Sequence, residues 1–198
     1  MLVYTVHMST GHDNITNNRF AQLARMGEVV FHISDLANLW RIKNKNTLHT
    51  TLKRYVQRGL LFRIYRGFYT LKKIEQIDPV FLGIKALNRF AYLSTESVLV
   101  KDGIISQVSR QITLVSSVSK KIFIGDNLYL VRKLDDRFLF NPIELKLEDC
   151  FYRATTERAV ADLLYFNPRY FFDGAQMINW KKVREIQREL GYPILNKK

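Results

Sequence analysis

A helix followed at once by a hairpin is the feature that most constrains this chain. Leu48, Leu52, Tyr55 and Val56 recur at helical spacing over residues 47–58, which predicts one apolar face turned to a core. Gly59 is placed to stop that helix, since glycine accepts the left-handed conformation that closes a last turn. Two β-rich runs then flank Arg66-Gly67, residues 60–65 and 68–71, and predict a hairpin. Upstream, Asn17 and Asn18 can cap a first helix that turns Phe20, Leu23 and Ala24 inward and ends at Gly27. Val29, Val30 and Phe31 form a short apolar run. Ser34 as N-cap, with Asp35 in the first turn, opens a second helix that carries Leu36, Leu39 and Trp40 inward. A polar turn over residues 43–46 leads to the third helix. Helix, short strand, helix, turn, helix and hairpin, in that order, predict a winged helix-turn-helix over residues 1–75, with the hairpin as the wing.

Charge adds a partner to this shape. Residues 41–74 hold ten Lys or Arg side chains and no Asp or Glu. Residues 1–75 hold 12 basic and 4 acidic side chains, a surplus of eight; residues 76–198 hold 19 and 14, a surplus of five; together they give the formal +13. A surplus concentrated in one compact unit points to an anionic partner rather than to solubility alone. An α-helix fits the major groove of DNA, where base edges present a readable pattern. Arg54 and Lys53 suit guanine, Gln57 and Asn46 suit adenine, and Thr47 and Thr50 can touch phosphate or a thymine methyl. Arg41, Lys43 and Lys45 precede the helix, near its positive end, where a phosphate is favoured. Arg63 and Arg66 flank the wing and could reach a neighbouring groove or the backbone. A solvated polar face would account for any one such helix. The absence of acid across the whole unit, together with the wing, favours nucleic acid. His49 could join the contacts or be a plain surface histidine.

Asp78-Pro79 restarts the chain with a helix cap and a proline at the first helical position. Residues 76–198 are expected to form a mixed α+β domain, so the whole chain reads as α+β. A helix over residues 79–88 buries Phe81, Ile84 and Leu87; residues 91–93 form a strand; Ser94 caps a helix closed by Gly103. Residues 111–115, 121–124 and 128–131 read as strands, with Asp126-Asn127 as a turn, and residues 138–140 and 143–145 are weaker strand candidates. Thr155 or Thr156 opens a helix that packs Ala159, Val160, Leu163 and Leu164 inward and is broken at Asn167-Pro168. A last helix, residues 179–190, aligns Trp180, Val183, Ile186 and Leu190 and ends at Gly191.

Other classes find less support. The apolar fraction is 47% and the aromatic fraction 13%, ample for a packed core. One cysteine, Cys150, excludes an internal disulfide and a Cys-rich zinc site, and fits a reducing compartment. No apolar run approaches the ~20 residues of a membrane span, and residues 1–11 lack the pattern of a secretory signal, so a cytoplasmic protein is expected; Met8 could be the start. His7, His12 and His32 show no ligand spacing, and neither a cofactor nor a metal is expected. The sequence has no Gly-rich phosphate loop and no nucleophile elbow, and the chain reads as a non-enzyme. The alternative is a metal-dependent nuclease, or other DNA-processing enzyme, with a winged-helix targeting domain. It would use Glu144-Leu145-Lys146, of Glu-x-Lys form, with Asp135 or Asp136 as a second carboxylate. Charges alternating with Ile143 and Leu145 equally suit a half-exposed strand. Glu157 and Asp162, five residues apart, fall on different sides of a helix and are expected in separate salt bridges.

Three segments carry a family resemblance. Leu60-Leu61-Phe62-Arg63-Ile64-Tyr65-Arg66-Gly67-Phe68-Tyr69 is similar to a wing seen in many winged helices. Tyr92-Leu93-Ser94-Thr95-Glu96-Ser97-Val98-Leu99, followed by Gly103-Ile104-Ile105, and Thr155-Thr156-Glu157-Arg158-Ala159-Val160-Ala161-Asp162-Leu163-Leu164 are more specific. With these, residues 29–168 resemble the AbiEi family, the antitoxins and transcriptional regulators of type IV toxin–antitoxin systems. The resemblance implies a winged helix that binds double-stranded operator DNA and represses its own operon. It also implies a second domain that counters a nucleotidyltransferase-like toxin, without need of a stable complex. The segment after Pro168, with one clear helix, is shorter than in many members.

Overall fold

The computed structural model describes residues 11–106 and 111–193, with residues 11–17 as backbone alone. Among these residues the chain is mixed α+β, with eight α-helices and nine strands in two sheets. It divides into two compact units, Met1–Gln76 and Ile77–Lys198. The expectations for Met8 and His7 lie outside the described residues.

In the first unit the order is α1 (Gly11–Arg25), β1 (Val30–His32), α2 (Ile33–Leu39), α3 (Lys45–Gln57), β2 (Phe62–Tyr65) and β3 (Phe68–Thr70). The strands form an antiparallel sheet of order β1-β3-β2, pairing Phe31 with Tyr69 and Arg63 with Tyr69 across the hairpin strand. Gly67 turns the hairpin at φ 80, a conformation that a side chain disfavours. Leu23, Phe31, Leu36, Trp40, Leu48, Leu52, Tyr55, Leu61 and Tyr69 make one core, in which the Trp40 and Tyr55 rings meet edge-on at 5.3 Å.

Caps and edges depart from the sequence reading. α1 begins at Gly11, so Asn17 and Asn18 lie within the helix rather than capping it, and Ala24 is exposed. The N-cap of α2 is His32, not Ser34: the Ser34 N–H donates to His32 Nδ1 at 3.3 Å, and the His32 N–H donates to Asp35 Oδ2 at 3.2 Å. The two bonds satisfy helix-end donors reciprocally, as a capping box does. α3 begins two residues early because Asn44 Oδ1 accepts from the N–H of Asn46 at 2.9 Å and of Thr47 at 3.2 Å. Val56, expected in the core, is 36% exposed at the rim of the buried stripe.

The second unit runs α4 (Pro79–Leu87), β4 (Ala91–Leu93), α5 (Glu96–Lys101), β5 (Gln111–Ser116), β6 (Lys120–Ile124), β7 (Asn127–Lys133), α6 (Asp136–Leu139), β8 (Leu145–Glu148), β9 (Phe151–Ala154), α7 (Thr156–Phe166) and α8 (Trp180–Leu190). Its sheet has the order β6-β7-β5-β4-β9-β8, with β5/β7 and β4/β9 parallel and the other pairs antiparallel. Residues 138–140, read as a strand, belong instead to the short helix α6 and its end, which Asp135 caps by accepting from the Arg137 N–H at 3.2 Å. Ser94 does not cap α5; Thr95 holds that position. The face of α4 is turned from the expected one: Leu82, Gly83, Ala86 and Leu87 are buried, while Phe81 and Ile84 are half-buried. Gly83 is required there, since a Cβ would lie 2.2 Å from Tyr129 Cε1. The Tyr129 hydroxyl in turn donates to the Pro79 carbonyl at 2.8 Å.

Candidate nucleic-acid interface

Burial fixes the orientation of α3. Leu48, Leu52 and Tyr55 face the core, so the stripe Asn46, Thr50, Lys53 and Gln57, spaced by four, three and four residues, runs along the opposite side. All four are exposed, and Thr47 and Arg54 are exposed beside them. Lys45 and His49 lie on the other flank, where the surface folds inward.

That flank borders a cleft of about 1040 Å³ between α2, the start of α3 and the hairpin. Its floor is apolar, from Ile33, Ala37, Ile42, Leu48 and Tyr69. Its walls carry Arg41, Lys43, Lys45, Arg63 and Arg66, with no Asp or Glu among the lining residues. Five cations around one concavity create a local positive potential. Asn44 occupies two of the first amides of α3, and the positive end of the helix dipole opens on the same side as Lys43 and Lys45.

The eleven contact residues named from sequence therefore divide into two groups. Asn46, Thr47, Thr50, Lys53, Arg54 and Gln57 stand on the outward face of α3; Arg41, Lys43, Lys45, Arg63 and Arg66 line the cleft. The fold adds Ser34 and Asn38 to the cleft, and it places His49 there as well. Arg41 adopts φ 52 in the turn after α2, a left-handed conformation that periodicity does not signal.

The hairpin is anchored to α2. The Ile33 N–H donates to the Gly67 carbonyl at 2.8 Å, and the His32 and Phe68 rings pack 4.8 Å apart.

In the second unit Tyr92, Ser94, Arg158 and Asp162, from two of the segments quoted above, meet Tyr192 in a buried polar cluster. Arg158 and Asp162, both 0% exposed, pair at 2.9 Å one helical turn apart. Asp162 also accepts from Tyr92 Oη at 3.0 Å, Ser94 Oγ at 2.8 Å and Tyr192 Oη at 2.7 Å. Arg158 spends its other N–H groups on the carbonyls of Asn141, Ile143 and Phe138 and on Tyr92 Oη. Burial pushes the Tyr92 and Tyr192 phenols well up, and the Asp162 carboxylate adds to the shift. Asp162 thus makes a salt bridge, as expected, and the fold places that bridge in the core. Glu144 is bound to Lys182 at 3.0 Å; its burial would raise its pKa, but Lys182 and Thr155 hold it below the ordinary range. Among the described residues no group of three or more His, Cys, Asp or Glu side chains is placed to hold a metal ion.

No protein-family model matches this chain, and no curated protein does. Among solved structures the chain is similar to one described as the crystal structure of RV2827C protein from Mycobacterium tuberculosis. The TM-score is 0.56 at 14% identity, over 91% of this chain and 72% of that one. A likeness at this identity concerns the fold alone.

Proposed function

We propose that this chain is a sequence-specific DNA-binding repressor whose first unit is a winged helix-turn-helix. α2 and α3 are the helix-turn-helix, α3 is the recognition helix, and β2 and β3 form the wing. The observation that carries this reading is the acid-free cleft walled by Arg41, Lys43, Lys45, Arg63 and Arg66 beside an outward polar stripe on α3. The cleft residues grip phosphates and set register; the stripe reads base edges in the major groove. Gripping several phosphates releases counterions, so affinity falls steeply with salt.

The second unit acts as an antitoxin domain that opposes a nucleotidyltransferase-like toxin in the cytoplasm. This part rests on the resemblance of the segments that supply Tyr92, Ser94, Arg158 and Asp162. The membrane plays no part in the proposal, and no helix among the described residues is long and apolar enough to cross one.

The test is a titration of the purified chain against its own upstream DNA, scrambled duplex and folded RNA, across a salt series. The proposal expects a preference for the upstream duplex and a steep log–log salt slope. Equal binding to all three, or none at low salt, overturns it. Co-expression with a toxin-like product of a neighbouring reading frame tests the antitoxin half by restored growth.

A further inference from the structure

β8 ends the six-stranded sheet, and its outer side is open among the described residues. The pairing with β9 shows which groups face outward. Thr155 N–H donates to the Glu144 carbonyl at 2.9 Å, so Glu144 faces inward to the β9 side. By the alternation of an antiparallel ladder, Lys146 and Glu148 also bond to β9, opposite Arg153 and Phe151. The N–H and C=O of Leu147 therefore point to the open edge. Leu145 shares that direction, but its N–H is spent on the Pro142 carbonyl at 3.0 Å. The side chains alternate too. Leu147 lies on the face of Tyr152, its cross-strand neighbour, and is 64% exposed. Tyr152 packs 5.9 Å from the Phe90 ring, which packs 5.5 Å from Phe140, itself 60% exposed. An exposed apolar strip thus adjoins an unpaired strand, the arrangement that edge strands usually avoid.

We propose that this edge is the contact between two copies of the chain, joined antiparallel about Leu147. The strand is complementary to itself in that register. Leu147 meets Leu147 of the second copy as a hydrogen-bonded pair, each supplying one outward N–H and one outward C=O. Lys146 then stands opposite Glu148 of the other copy, twice over, on the opposite face. Opposite charges directly across a ladder stabilise pairing, and like charges oppose it. The two apolar strips become continuous on the leucine face. The other edge of the sheet lacks this property. Pairing β6 with itself about Ile122 would set Lys121 against Phe123 and Lys120 against Ile124, with no opposite charge for either lysine. A two-fold contact needs one patch that complements itself, and β8 carries one.

The experiment uses the full chain without DNA, so its outcome is independent of the proposed function. Sedimentation equilibrium over a concentration series is expected to show a monomer–dimer equilibrium. Leu147→Pro removes only an outward N–H, so the fold, followed by circular dichroism, stays intact while the dimer is lost. In a Cys150→Ser background, Leu147→Cys places two thiols on the axis with Cα atoms about 5.5 Å apart, within disulfide reach. Mild oxidation is expected to cross-link that variant, and not Phe123→Cys in the same background. A wild-type chain that stays monomeric throughout overturns the proposal. So does a dimer that survives Leu147→Pro, or cross-linking through Phe123→Cys in place of Leu147→Cys.

Discussion

Two residues in the second unit and two in the first carry most of the consequence of a single substitution. Arg158 has all five N–H groups bonded inside the protein, and Asp162 accepts four bonds. Arg158→Met removes one partner and leaves a carboxylate without its countercharge in the core. The expected loss is about 3–5 kcal/mol, read as a lower midpoint in urea unfolding. The pair was hard to see in the sequence. Arg158 and Asp162 sit in an Ala, Val and Leu run, where charged residues are usually taken to mark the exposed side. Their helical spacing was visible, but not the Tyr92, Ser94 and Tyr192 that enclose them from distant segments. Arg54 and Lys43 lie on the surface, and their exposure was legible from the periodicity of Leu48, Leu52 and Tyr55. Arg54→Ala is expected to cost ~1–3 kcal/mol on the preferred duplex and little on scrambled DNA, whereas Lys43→Ala weakens both and lowers the salt slope by about 1. Anisotropy titrations of both variants on both duplexes distinguish the roles.

At the scale of elements, ends rather than middles escaped the sequence. The helical faces of α3 and α8 follow largely from apolar spacing, and β4 lies at its expected bounds; in α7, Arg158, Ala161 and Asp162 are buried along with Ala159, Val160 and Leu163, while Leu164, expected inward, is half-buried. Phe138, Leu139 and Phe140 are a short apolar run, equally compatible with strand and helix, so pattern alone does not specify α6; its cap, Asp135, is the available signal. Histidine is not among the common N-caps, so sequence pattern gives no signal for the role of His32. Asn44 matters most for the proposed function, since it brings Lys45 and Asn46 into the first turn of α3. Asn44→Ala is expected to lower stability by ~0.5–2 kcal/mol, measured by thermal unfolding, and to weaken DNA binding as that turn frays.

For the whole molecule, the α+β class and most elements could be read from pattern, while the sheet order β6-β7-β5-β4-β9-β8 could not. Two parallel pairs, β4/β9 and β5/β7, join strands that are not consecutive in the chain, and no local signal specifies them. Packing also sets the response to pH. Tyr92, Tyr129 and Tyr192 have phenols raised above the ordinary value, chiefly by burial. In the unfolded chain they lose a proton near pH 10, and in the folded protein they retain it. Their contribution to stability is therefore full below about pH 10 and declines as pH rises beyond it. Unfolding followed against pH is expected to show this alkaline fall, and Tyr192→Phe to make it shallower.

The bond from Ile33 to the Gly67 carbonyl, with His32 against Phe68, has a mechanical outcome. It welds the tip of the β-ribbon to the start of the second helix, so the two jaws around the cationic hollow form a calliper of fixed gauge. Under the proposed function, a duplex whose phosphates are gripped there would have to adapt to that gauge. Sequences that deform cheaply would then be preferred even at base pairs that no side chain touches.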